Sequence, residues 1–317
     1  MKPILRAVAA VTATAALMAG CSSQGTPERD ATAPSSRERT DLGIPRSAPL
    51  DGPEPGSFTE INLPSGRTYV LAVPEDYDPA KKWPLLMSFH GWKETSWNNF
   101  KYTAFRHAEA ISVYPQGKNG AWAPAPYADT KGSEDIAFVE DILDTVRATY
   151  TIDDERIYAT GMSNGGGFVA YLACQMPGTF RSIASISAAY YEAIHNNCAD
   201  QPVGRLDLHG TNDPVVKYYG GKRHGTRYNS VVDVLAHDEE RNRCSSRIRT
   251  ERLANSALLQ TWSGCEEPLQ HIRIGGGKHV WPGGAYDKDA TVGKGFATDK
   301  VLDFFGIPGR PEGTRDT

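Results

Sequence analysis

The sequence predicts an α/β protein with a mostly parallel central sheet and helices on both faces. Three observations carry this expectation. Apolar runs of strand length alternate with helix-length amphipathic runs along most of the chain. The clearest strand-like run, Leu85 to Phe89, is apolar apart from Ser88, as expected of a strand buried on both faces. A later strand-like run passes through a glycine-flanked turn straight into a helix, at Gly161-Met162-Ser163-Asn164-Gly165.

The chain starts before that rhythm does. Residues 1–20 hold a short basic start (Lys2, Arg6) and an Ala/Val-rich run, then Leu17-Met18-Ala19-Gly20 before Cys21. This reads as an export signal whose last residues form a lipobox, so that the cleaved chain begins at a lipidated Cys21. The apolar run is short for a membrane span. Residues 21–57 are rich in Ser, Thr, Pro, Gly and charge, which predicts a flexible tether. Residues 58–308 are near the size that one α/β domain fills, and 309–317 read as a disordered tail.

Within the domain, Thr68 to Val73 alternates like an early strand. Leu85 to Phe89 reads as a buried strand ending at His90-Gly91, and Ile111 to Tyr114 as another ending at Pro115-Gln116-Gly117, with a helix-length segment between these two. From Ser133 to Tyr150, Ile136, Val139, Leu143 and Val146 recur at helical spacing, with Glu140, Asp141 and Asp144 turned mostly to water. Ile157 and Tyr158 lead into the turn at Ser163, and Phe168, Ala170, Tyr171 and Leu172 suit the helix after it. Further strands are expected at Ser182 to Ser187, Arg205 to His209 and His271 to Ile274, with helices near 229–240 and 296–305.

Gly-x-Ser-x-Gly is weak evidence as a bare pattern: with 31 glycines in 317 residues, a given serine is so flanked by chance about one time in a hundred. The strand-to-helix context strengthens it. Such an elbow holds the Ser163 hydroxyl above the sheet, and the helix N-terminus favours negative charge developing beside it. A serine attacks near neutral pH only if a base takes its proton and an acid orients that base. Asp213, in the turn after Leu206-Asp207-Leu208-His209, is the acid expected. Asp207 lies within the strand, and Asp233 and Asp238 fall on the next helix. His279, in Gly275-Gly276-Gly277-Lys278-His279, is the base, on a loop whose glycines can carry its imidazole over Ser163. The remaining histidines read as surface or core, with His209 shaping the Asp213 loop. Two backbone N–H groups would serve a developing oxyanion, those of Asn164 and Trp92. Trp122 and Trp281 are candidates to line a substrate cleft.

The formal charge of −4 becomes −6 when Lys2 and Arg6 leave with the signal, leaving 32 basic against 38 acidic residues, and gives no reason to expect nucleic acid. The arginines of 241–252 read as a solvated face. With Cys21 set aside, Cys174, Cys198, Cys244 and Cys265 form an even set that suggests two disulfides in an exported chain, with three connectivities open. Pairing neighbours, Cys174 with Cys198 and Cys244 with Cys265, closes short loops. The cysteine spacing does not resemble a zinc site.

Taken together, Phe89-His90-Gly91-Trp92, the Asp135-centred helix start, Asp154-Glu155-Arg156-Ile157-Tyr158 running into Gly161-Met162-Ser163-Asn164-Gly165-Gly166, His209-Gly210-Thr211-x-Asp213-Pro214 and Gly276-Gly277-x-His279-x-Trp281-Pro282-Gly283 carry a family likeness. The region 65–305 resembles the exported poly(3-hydroxybutyrate) depolymerase and feruloyl esterase group of α/β-hydrolases, related to carbohydrate esterase family one and including esterase lipoproteins. The resemblance implies the α/β-hydrolase fold, a triad of Ser163, Asp213 and His279, oxyanion donors at Trp92 and Asn164, and two disulfides. It also implies action on polyester oligomers or on aryl and acetyl esters of plant polysaccharide. Lys93 and Glu94 depart from the small residues common after that Gly-Trp, which turns the expectation from insoluble polymer toward a soluble ester.

The expectation is thus a monomeric serine carboxylic ester hydrolase using an acyl-enzyme, with no metal or organic cofactor required. It would be exported and held by its lipid at the outer face of the cytoplasmic membrane, or released. An acyltransferase using the same triad and a non-catalytic binding protein are the alternatives.

Overall fold

The computed structural model describes residues 51–289 and 291–309. The expected signal segment 1–20, the lipidation site Cys21, most of the expected tether and all but the first residue of the expected tail lie outside the described residues.

In chain order the elements are β1 (Phe58–Asn62), β2 (Thr68–Ala72), β3 (Trp83–Phe89), α1 (Ser96–Thr103), β4 (Ile111–Pro115), α2 (Gly132–Thr149), β5 (Ile152–Met162) and α3 (Asn164–Gln175). There follow β6 (Ser182–Ile186), β7 (Gly204–Gly210), β8 (Gly221–Arg223), β9 (Thr226–Tyr228), α4 (Val231–Arg241), β10 (Ser245–Arg252), β11 (Ala257–Ser263), β12 (Leu269–Ile274) and α5 (Phe296–Phe305). Ten strands form one sheet in the order β1-β2-β4-β3-β5-β6-β7-β12-β11-β10, and β8 pairs with β9 as a separate hairpin. The six strands from β4 through β12 run parallel, and an antiparallel pair closes each edge. This is the α/β-hydrolase fold.

Side chains alternate across the sheet, as the strand period requires. Leu85, Met87, Phe89, Ile157, Ala159 and Ile183 point to one core, where α2 contributes Phe138, Ile142 and Val146 and α3 contributes Phe168, Val169 and Leu172. Leu86, Tyr158, Ala184 and Ile186 point to the other, where α1 contributes Phe100 and Tyr102 and α5 contributes Val301, Leu302 and Phe305. Local chemistry starts the helices. Before α1, Thr95 Oγ1 accepts the Asn98 N–H (3.1 Å) while Asn98 Oδ1 accepts the Thr95 N–H (3.1 Å). Ser230 and Asp233 do the same for α4.

The expected strands and helices all have counterparts within a few residues. Four strands of the sheet or hairpin have none in the sequence reading: β1, the β8–β9 pair and β10. The antiparallel β11 is a fifth. Of these, β1 buries a single residue and β8 and β9 are three residues each, too little for apolar periodicity. In β10, Arg247, Arg249 and Arg252 are exposed on the sheet edge, where charge discourages pairing with another chain. Arg241 departs from that solvated segment: it is buried at the end of α4, with Nη2 3.1 Å from Asp238 Oδ1.

Neighbouring cysteines pair, Cys174 with Cys198 and Cys244 with Cys265. The first ties the end of α3 to the segment before β7, and the second ties the start of β10 to the turn before β12. Each closes a short loop, with a sequence separation of 24 and 21 residues, worth on the order of 3 kcal/mol through the unfolded chain.

Candidate active site

β5 delivers Ser163 to the carboxyl edge of the sheet, and α3 leaves from it at once. The backbone there is strained, with φ 55° and ψ −116° at a residue that has a Cβ. Three backbone bonds hold it: Ser163 N–H donates to Ile186 O (2.9 Å), and Ser163 O accepts from Gly167 N–H (3.0 Å) and Ala189 N–H (2.9 Å). The two flanking glycines are sterically required. A Cβ on Gly161 would lie 2.5 Å from the Gly165 backbone, and one on Gly165 would collide with the Phe89 carbonyl.

Asp213 follows β7 and His279 follows β12, and these strands are adjacent, so their loops leave the sheet side by side. They are stitched together. Thr211 N–H donates to Ile274 O (2.8 Å), Asn212 N–H to Gly277 O (3.0 Å) and Gly276 N–H to Thr211 Oγ1 (3.0 Å). Asp213 Oδ1 accepts the N–H groups of Val215 and Val216 at 2.8 Å each. Its Oδ2 lies 2.7 Å from His279 Nδ1, and His279 Nε2 lies 3.0 Å from Ser163 Oγ. A carboxylate only accepts, so Nδ1 carries the hydrogen and Nε2 presents a lone pair to the serine. Burial raises the Asp213 pKa, but hydrogen bonds from His209 and His279 outweigh it and hold the carboxyl below its ordinary range.

His209 donates its Nε2–H to Val216 O (2.9 Å) and sits 3.4 Å from Asp213 Oδ2, so it does shape the Asp213 loop. Asp207, the competing acid, is engaged in the core: it accepts from the Tyr190 hydroxyl and has Oδ1 2.8 Å from His271 Nδ1.

The loop after β3 runs His90-Gly91-Trp92-Lys93-Glu94. His90 O accepts the Trp122 indole N–H (3.1 Å), Gly91 N–H donates to Glu94 Oε2 (2.9 Å), and Lys93 N–H donates to Gly120 O (2.8 Å). His90 donates Nδ1–H to Gly91 O (2.7 Å) and accepts the Gly117 N–H at Nε2 (2.9 Å), which requires a neutral ring. Burial supplies that condition by lowering its pKa to about 4. The Trp92 N–H has no acceptor among the described residues. Neither does the Asn164 N–H, which opens α3 and so lacks an intrahelical acceptor.

Beside Ser163 lies a cleft of about 210 Å³, lined by Trp92, Tyr127, Tyr191, Arg223 and His224. Trp92 and Tyr127 have ring centroids 4.5 Å apart, and His224 meets them edge-on at 4.7 and 4.8 Å. His224 and Gly225 form the two-residue turn between β8 and β9, both with positive φ. Sequence reasoning missed Tyr127, Tyr191, Arg223 and His224; the His-Gly pair was the one local sign of that hairpin.

The two tryptophans expected to line the cleft do not reach it. Trp122 is 0% exposed and stacks on Phe168 at 5.0 Å, and its indole N–H is spent on the β3 loop. Trp281 is 3% exposed, packed edge-on against Phe105, with its N–H donated to Thr298 Oγ1 (3.1 Å). Two residues beyond His279 the chain has already turned into the α5-side core. A larger cavity of about 480 Å³, bounded by Tyr102, Arg106 and Leu302, holds none of the groups that converge on Ser163. No group of three or more His, Cys, Asp or Glu among the described residues is placed to hold a metal ion.

A family model described as esterase PHB depolymerase matches residues 80–253, more than half of the chain. The chain belongs to that esterase family. The family stretch runs from just before β3 to just after β10 and so contains Trp92, Ser163 and Asp213, with His279 beyond it. Among curated relatives, feruloyl esterase C of Emericella nidulans is 30% identical over 82% of this chain and 91% of its own length. The bifunctional acetylxylan esterase/xylanase of Neocallimastix patriciarum is 27% identical over 68% of this chain and 31% of its own length. Among solved structures, acetyl xylan esterase from Aspergillus awamori shares the fold with a TM-score of 0.57 at 13% identity, covering 79% of this chain and 99% of that one. As a member of this esterase family, the chain is a carboxylic ester hydrolase.

Proposed function

We propose that this esterase cleaves esters through an acyl-enzyme formed on Ser163. The observation that carries this is the unbroken line from Ser163 Oγ through the His279 ring to Asp213. As Oγ attacks the ester carbonyl, His279 Nε2 takes its proton and then returns it to the departing alcohol. A water deprotonated by the same nitrogen attacks the acyl-serine and releases the acid. Asp213, ionised and held by the Val215 and Val216 N–H groups and by His279, fixes the ring tautomer. The N–H groups of Trp92 and Asn164, both without another acceptor among the described residues, would take the charge on the carbonyl oxygen.

For substrate we favour a soluble aryl ester of the hydroxycinnamoyl type over acetyl esters or 3-hydroxybutyrate oligomers. The aromatic walls at Trp92, Tyr127 and Tyr191 suit a planar acyl group, and the likeness to feruloyl esterase C points the same way. We also propose export with lipidation at Cys21, on the strength of Leu17-Met18-Ala19-Gly20-Cys21 and of two disulfides that need an oxidising compartment. No helix among the described residues is long and apolar enough to cross a membrane.

Turnover of methyl ferulate, acetylated xylan and 3-hydroxybutyrate oligomers by wild type and Ser163→Ala tests the chemistry. Equal turnover by the two proteins would rule out Ser163, and a preference for the oligomers would overturn the substrate class. Loss of membrane association in Cys21→Ala tests the anchor, and unchanged fractionation would count against it.

A further inference from the structure

We propose that Glu94 is a positioning residue for the Trp92 N–H, acting by clamping Gly91 at both ends. This rests on the esterase reading above and concerns what holds its oxyanion donor in place.

The peptide group that carries the Trp92 N–H is the one whose carbonyl belongs to Gly91. Glycine has no side chain to restrain it, so an unheld Gly91 would let that peptide rotate. His90 Nδ1–H already holds the Gly91 carbonyl (2.7 Å), and Glu94 adds a second donor there and closes the N–H side. Its own N–H donates to Gly91 O (3.2 Å), and its carboxylate Oε2 accepts the Gly91 N–H (2.9 Å). The carboxylate lies flat against this glycine, since a Cβ built on Gly91 would stand 3.1 Å from Oε2.

The carboxylate is itself held from behind. Tyr102 O–H donates to Glu94 Oε2 (3.1 Å), Asn99 Nδ2 donates to the Tyr102 oxygen (3.3 Å), and Ser88 Oγ donates to Asn99 Oδ1 (2.6 Å). Ser88, Asn99 and Tyr102 are all buried, and burial followed by the nearby Glu94 charge pushes the Tyr102 pKa well up, so it stays a neutral donor. The chain of bonds therefore runs from β3, through α1, back to the loop that leaves β3. The Trp92 N–H sits at its end, without an acceptor among the described residues. An oxyanion donor must be in place before charge develops, and a donor free to swing loses most of its value.

The reach of the side chain, rather than its charge, is the operative property, and three substitutions separate the two. Glu94→Asp keeps the charge but falls short of Gly91. Glu94→Gln loses the charge but keeps an acceptor at the same distance. Glu94→Ala loses both. On p-nitrophenyl acetate, Ala and Asp should each lower kcat by about 10- to 100-fold with KM within about twofold of wild type, because the donor acts on the transition state. Gln should recover most of that kcat. Gln as slow as Ala, Ala and Asp near wild type, or a change confined to KM would each overturn the proposal.

Amide hydrogen exchange over residues 90–94 in the Ser163→Ala background gives a readout without turnover. Exchange should quicken in Ala and Asp and be restored in Gln, and equal rates in all three would overturn the clamp. Absence of ester turnover in wild type would sink the proposed function, while exchange would still decide the role of Glu94.

Discussion

The Asn164 side chain takes both backbone polar groups of Trp122: its Oδ1 accepts the Trp122 N–H at 2.8 Å and its Nδ2 donates to Trp122 O at 3.0 Å. The residue after Ser163 thus fastens the segment between β4 and α2 against the start of α3. Trp122 in turn passes its indole N–H to His90 O, so the serine turn and the β3 loop share one buried tryptophan.

Removing that amide should cost stability and activity together. Asn164→Ala leaves the buried Trp122 N–H unpaired and the Trp122 carbonyl with only the Ala125 N–H (3.3 Å), at a cost of about 1–3 kcal/mol. Urea unfolding should report a loss in that range, and kcat should fall although the backbone N–H of residue 164 remains. An unchanged midpoint would mean that water replaces the amide.

Two tryptophans near the site, Trp122 and Trp92, should separate cleanly on mutation. Trp122→Ala empties a stacked core position and should destabilise by about 3–5 kcal/mol. Trp92, half-buried on the cleft wall, should when changed to Ala leave the thermal midpoint within a few degrees and raise KM for methyl ferulate more than for methyl acetate. Equal effects on the two esters would remove Trp92 from the acyl wall.

Stability should fall on mild acidification. Burial lowers the pKa of His90 and of His195 to about 4. Between the unfolded value of about 6.5 and that point the unfolded chain binds protons that the folded one does not, so stability is full above about 6.5 and is lost as pH falls toward 4. Each histidine contributes a slope of up to about 1.4 kcal/mol per pH unit. Denaturant titrations from pH 7 to 4.5 should show it, and His90→Gln should flatten it; an unaltered slope in that variant would refute the His90 share.

Substitutions along the serine line should be far from additive. Ser163→Ala or His279→Ala alone should reduce kcat about 10⁴-fold or more, and the double variant should be no slower than either. Asp213→Asn keeps the ring in contact but can present the wrong tautomer, and should fall by about the same order. Additive losses would indicate that the two side chains act in separate steps.

The convergence of Ser163, Asp213 and His279 was legible because each sits in a turn with a local signature: glycines two residues either side of the serine, a proline after Asp213, three glycines ahead of His279. Parallel strands β3 and β4 were legible because burial on both faces leaves a nearly continuous apolar run. The antiparallel edges were not, since β10 is arginine-rich and exposed and β8 and β9 are three residues each. The cleft itself was the least visible part. Tyr127, Tyr191 and His224 come from three separated segments that share no periodicity, and His224 reaches Trp92 only because the hairpin folds across.

By itself, the sequence determined which loops bring Ser163, Asp213 and His279 to one edge of the sheet and in what order, because turn geometry and strand burial are written into a few consecutive residues. Tertiary structure alone decided what each large side chain touches. Trp122 and Trp281 look like cleft residues from their neighbours in the chain, yet the core claims both. Glu94 looks like a surface charge beside Trp92, yet it closes on Gly91. Such assignments depend on which segments the folded sheet brings together across scores of residues, and no local pattern records that.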